Sequence, residues 1–108
     1  MRTNEQICEV TIRHEDGTEW VLVYYVQVIS SRDDGELYAL RVDKLATDGK
    51  VLEREQTCAL TDSRLEAVEM AKAFAKGTVP PSVLVEMADE WITELTVNMP
   101  AHTYHRAG

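Results

Sequence analysis

The stretch His14-Glu15-Asp16-Gly17-Thr18-Glu19-Trp20-Val21-Leu22-Val23-Tyr24-Tyr25-Val26 decides the fold. It reads as a turn feeding a strand. Gly accepts φ > 0 without steric cost and Asp tolerates turn geometry, so Asp-Gly between apolar runs signals a hairpin. Residues rich in Val, Tyr and Leu then favour the pleated backbone. Asp33-Asp34-Gly35 and Thr47-Asp48-Gly49 repeat the turn signal further along. Successive hairpins make a four-stranded antiparallel meander.

A three-residue loop at each turn, with Gly closing a bulge, pairs large apolar residues across the strands: Ile12 with Trp20, Val10 with Leu22, Val28 with Leu40, Val26 with Val42. At the third turn it sets Arg41 opposite Glu55. The inner face is then Cys8, Val10, Ile12, Trp20, Leu22, Tyr24, Val26, Val28, Tyr38, Leu40, Val42, Leu52, Cys58 and Leu60. Arg54 and Gln56 interrupt it on the last strand, which reads as an edge strand with a wet middle.

Two helices follow. The first starts near Thr61-Asp62-Ser63, where Ser63 and Glu66 have capping-box spacing and Thr61 as N-cap would allow a Leu60 to Leu65 staple. Ala67, Val68, Met70, Ala71, Phe74 and Ala75 fall on one arc, and Gly77 ends the helix as a left-handed residue. Pro80-Pro81 opens the second helix, where Val83, Leu84, Met87, Ala88, Trp91, Ile92 and Leu95 recur at helical spacing. Trp91 belongs to the core on this reading. Both apolar stripes find their cover on the inner face, giving an α+β domain over 1–95 and a mobile tail over 96–108.

The 108 residues suit one hydrophobic core, and 44% apolar with 28% charged residues excludes a disordered class. A net charge of −8 disfavours nucleic acid and anionic membrane as partners. Met1-Arg2-Thr3-Asn4 begins no secretion signal, and no segment approaches the roughly 20 apolar residues of a membrane span, so a cytoplasmic location is expected. Cys8 and Cys58 lack metal-ligand or redox spacing and read as two buried, unlinked thiols.

Chemistry is sparse. No nucleophile elbow, phosphate loop, dinucleotide fingerprint or zinc-protease motif occurs, and the sequence points away from an enzyme, with no catalytic, cofactor or metal residues. His14-Glu15-Asp16 is the nearest cluster of proton carriers, though adjacent strand residues point to opposite faces. His102 and His105 supply half a zinc shell. Asp33-Asp34-Gly35-Glu36 lacks the alternating ligands of a calcium loop. Trp20, Tyr24 and Tyr25 could stack bases, but no basic groove accompanies them.

The segments Tyr38-Ala39-Leu40, Glu53-Arg54-Glu55, Thr61-Asp62-Ser63, Val79-Pro80-Pro81-Ser82-Val83-Leu84 and Asp89-Glu90 give the chain a family likeness over residues 20–95. It resembles a family of short uncharacterised proteins of anaerobic Gram-positive bacteria that carry a domain-of-unknown-function label. The resemblance implies a cytoplasmic bacterial protein with strands first and helices last, and no site residues.

The second strand is apolar on its outer side too, and a strand apolar on both sides is usually covered on both. The expected register gathers Ile7, Val21, Val23, Tyr25, Leu45 and Val51 there, Ile7 beside Tyr25 and Val23 between Glu9 and Leu45. Glu9, Arg13, Arg41, Asp43 and Glu53 would rim the patch. This predicts a protein-interaction module, a homodimer or partner-binding subunit, using the outer sheet face. The alternative is a small-ligand site or enzyme in a cleft between helices and sheet.

Overall fold

A computed structural model describes the backbone of residues 2–31 and 35–98 and the side chains of residues 3–29 and 35–93. Strands β1 (Arg2–Arg13), β2 (Glu19–Ser31), β3 (Gly35–Leu45) and β4 (Val51–Gln56) form one antiparallel sheet in chain order. Helix α1 (Arg64–Lys76) follows, then a 3-10 turn over Pro81–Val83 that leads into α2 (Leu84–Asn98). The fold is the expected α+β meander with two helices. Asp33, Asp34, the paired histidines and the tail beyond Asn98 lie outside the described residues.

The first and third turns are near copies. The Gly17 N–H donates to the His14 carbonyl and the Gly49 N–H to that of Ala46, each at 2.9 Å, with both glycines at φ 90°. Asp16 and Asp48 each accept the backbone N–H two residues on, again at 2.9 Å. These are the three-residue loops anticipated, and Ile12 pairs with Trp20 as expected. The middle hairpin differs. Val26 pairs with Leu40 and Val28 with Tyr38, two residues away from the expected partners. A slip of two leaves every side chain on its own face, because side chains alternate with period two.

Bulges at Ile7 in β1 and Leu52 in β4 do change faces. Gln6 pairs with Tyr25 and Cys8 with Tyr24, so the intervening Ile7 is unpaired, and it packs against the core. Leu45 pairs with Val51 but Lys44 with Glu53, which leaves Leu52 unpaired and 44% exposed. One extra residue reverses the alternation beyond it. Arg54 and Gln56, which uninterrupted pairing would turn inward, therefore lie on the outer face, and Glu53 lies on the inner one.

The core forms where Leu22, Tyr24 and Val26 of β2 and Leu40 and Val42 of β3 meet Met70 and Phe74 of α1 and Leu84 of α2. Ala67, Ala71 and Ala75 recur every fourth residue and are buried, so the backbone of α1 can approach the sheet closely. Ser63 is the N-cap: its hydroxyl accepts the Glu66 N–H at 3.1 Å. The Glu66 carboxylate accepts from the Thr61 hydroxyl at 2.7 Å, and that oxygen in turn accepts the Ser63 N–H at 3.0 Å. With this cap Leu65 has no staple and is 71% exposed. Both cysteines are free as expected, but Cys58 is exposed and Cys8 half-buried, where burial pushes its thiol pKa up.

Candidate functional site

Helices cover one side of the sheet, and the other side covers itself. Val23 lies between Glu9 and Asp43 rather than beside Leu45, and it is 4% exposed. Asp43, which the expected register placed at the rim, sits at the centre. Its carboxylate accepts two hydrogen bonds from Arg41 (3.1 and 2.9 Å) and two from Arg54 (2.8 and 3.0 Å). The Arg41 guanidinium also lies 4.2 Å from the centroid of the Tyr25 ring. Gln27 donates to Gln56 at 3.0 Å. Long side chains from β3 and β4 thus roof the apolar second strand. The row Val21, Leu45 and Val51 remains, with Val51 44% exposed.

On the helical side a cleft of about 300 Å³ opens where the sheet runs past the end of α1. Ile12, Trp20 and Leu22 form its floor, and Lys44 and Glu53 face it from β3 and β4. His14 comes from the first turn, and Thr78, Pro80 and Ser82 from the connection between helices. Lys44 Nζ sits 3.5 Å from the centroid of the Trp20 ring, and the His14 ring meets the same indole edge-on at 4.1 Å. An apolar floor with a few converging polar groups is the usual make-up of a small-molecule site.

The roof is held firmly. The Val79 N–H donates to the Phe74 carbonyl and the Thr78 N–H to that of Ala75, both at 3.0 Å, which closes α1 in a Schellman motif. The left-handed residue is Thr78 at φ 51°, not Gly77, which sits at φ −88°. Tyr24, buried beneath, donates its hydroxyl to the Val79 carbonyl at 2.8 Å. Burial pushes the Tyr24 phenol far above its ordinary pKa, so it stays a neutral donor. A β-branched residue in the left-handed region costs about 1–2 kcal/mol, partly offset in a glycine by its larger unfolded-state freedom. Thr78→Gly is therefore expected to raise the unfolding free energy by about 0.5–1 kcal/mol, checked by urea denaturation.

The first turn divides the His14-Glu15-Asp16 cluster. His14 turns to Trp20, whereas the Thr18 backbone N–H engages Asp16 and holds its carboxyl below the usual range. A shallow hollow lined by Arg13, His14, Glu15 and Asp16 is open to solvent. Among the described residues no three or more His, Cys, Asp and Glu side chains converge as metal ligands, and no helix is long and apolar enough to cross a membrane. Sequence reasoning assigned Trp20 to the core and passed over Lys44. The missed signal was Lys44 itself, a charged residue continuing the inward row Tyr38, Leu40 and Val42, which the structure pairs with Leu22.

No curated protein and no solved structure matches the chain. A family of unknown function, DUF6514, matches residues 3–94, and the chain belongs to that family.

Proposed function

We propose that this chain is a small-molecule-binding domain whose site is the cleft over Trp20. The observation that carries the reading is the convergence of Lys44, Glu53 and His14 around a half-buried indole on an apolar floor. Strain kept at Thr78 supports it, since strained backbone clusters at functional sites. The test uses the Trp91→Phe chain, which leaves Trp20 as the reporter of the two tryptophans. Titration with a diverse set of small molecules is expected to give saturable changes in Trp20 fluorescence. Ser82→Leu, which narrows the mouth, should abolish them. Absence of any saturable change at millimolar concentrations would reject the reading.

The row Val21, Leu45 and Val51, continued by Leu52 at 44% exposure, favours a second reading. Here the outer face meets a protein, either a second copy or a separate subunit, as an apolar strip with a polar surround would. Val51→Lys is expected to weaken self-association in sedimentation without unfolding the chain. Identical monomeric behaviour of both proteins at high concentration would exclude the homodimer. Two free thiols support a cytoplasmic setting for either reading.

A further inference from the structure

We infer that the Trp20 cleft selects a small zwitterion, a molecule carrying a carboxylate and an ammonium a few bonds apart on an apolar body. The inference rests on the small-molecule reading above. Lys44 and Glu53 are direct cross-strand partners on the inner face, a position Glu53 owes to the Leu52 bulge. Opposite charges so placed ordinarily pair. Here the Lys44 ammonium lies on the Trp20 ring, and no hydrogen bond or ion pair joins it to Glu53 among the described residues. Elsewhere on the sheet opposite charges do meet, as in Arg13 with Glu19 and in Asp43 with two arginines. The cleft therefore keeps one charge of each sign beside an apolar floor.

That arrangement discriminates by repulsion as well as attraction. A simple carboxylate gains Lys44 but approaches Glu53, and a simple amine meets the reverse. A zwitterion satisfies both walls. The ring occupies one side of the Lys44 ammonium, whose three N–H donors leave capacity for a ligand carboxylate. Glu53 accepts the ligand ammonium, while Ile12, Leu22 and the indole receive the apolar substituent. A cleft of about 300 Å³ lies at the small end of ligand sites, which suits a molecule the size of an apolar amino acid.

The experiment is calorimetric titration of the full chain with L-leucine, L-valine and L-phenylalanine, and with 4-methylpentanoate and 3-methylbutylamine, which lack one or other charge of leucine. At least one amino acid is expected to bind about tenfold or more tighter than either singly charged analogue. Lys44→Met should reduce its affinity to that of the amine, and Glu53→Gln to that of the acid, with circular dichroism showing both variants folded. Acid or amine binding as tightly as the amino acids, or an affinity indifferent to Glu53→Gln, overturns the zwitterion while the site stands. The same follows if the amino acids fail and other small molecules still change Trp20 fluorescence. If nothing binds at all, the site and the inference fall together.

Discussion

Replacing Asp43 by alanine is expected to lower the unfolding free energy by about 3 kcal/mol, seen as a lower urea midpoint at unchanged slope. Removing one member of a buried ionic cluster costs about 3–5 kcal/mol because the charges left behind lose their compensation. The low end applies here, because the Arg54 side chain is 49% exposed and can swing into water. Arg41 has no such freedom, being 14% exposed and stacked on Tyr25. The order of cost is therefore Asp43→Ala, then Arg41→Ala, then Arg54→Ala, the last at about 1 kcal/mol or less, as for a solvated pair. An Arg54→Ala loss equal to that of Asp43→Ala would show that the cluster works as a sealed unit.

Phe74→Ala is expected to cost about 4 kcal/mol, within the range for a truncated core aromatic. Phe74 of α1 is 4% exposed in the core and meets the Trp91 ring of α2 at 5.9 Å and an interplanar angle of 88°. Trp91 is only half-buried, so Trp91→Ala should fall near 3 kcal/mol, the lower limit of the same range. Edge-to-face pairs add about 0.5–1.5 kcal/mol beyond buried area. A double-mutant cycle should therefore return a coupling of about 1 kcal/mol. Strict additivity would mean that α2 does not rest on α1 through these rings.

Strand order, the first and third turns, the inner apolar rows and the helical stripes were legible because each is a local or periodic property. Asp16-Gly17 and Asp48-Gly49 announce their loops, and Ala67, Met70, Ala71 and Phe74 announce their face. The bulges were not legible. Ile7 and Leu52 are ordinary strand residues with no glycine to mark them, and what places them is tertiary. Arg54 and Gln56 gain Asp43 and Gln27 on the outer face, whereas an unbulged β4 would turn both toward the core. From that displacement follow the arginine and glutamine roof on the outer face and the presence of Glu53 in the cleft. The outer strip is broken by the Ile7 bulge and by the two-residue slip that sets Asp43 beside Val23. The left-handed Thr78 was masked by its neighbour Gly77, the residue ordinarily chosen for that conformation.

The unpaired residues also bear on what the sheet can do with its margins. An outermost strand presents unused N–H and C=O groups that can template a strand from another molecule, the first step of fibrous aggregation. On β1 the even ladder is cut at Ile7 into residues 2–6 and 8–13, and β4 keeps just 53–56 beyond Leu52. An incoming strand would have to carry a matching irregularity to continue across either break. Both margins are thus poor templates, and concentrated solutions of the folded chain should resist fibril growth even though β2 is apolar on both sides.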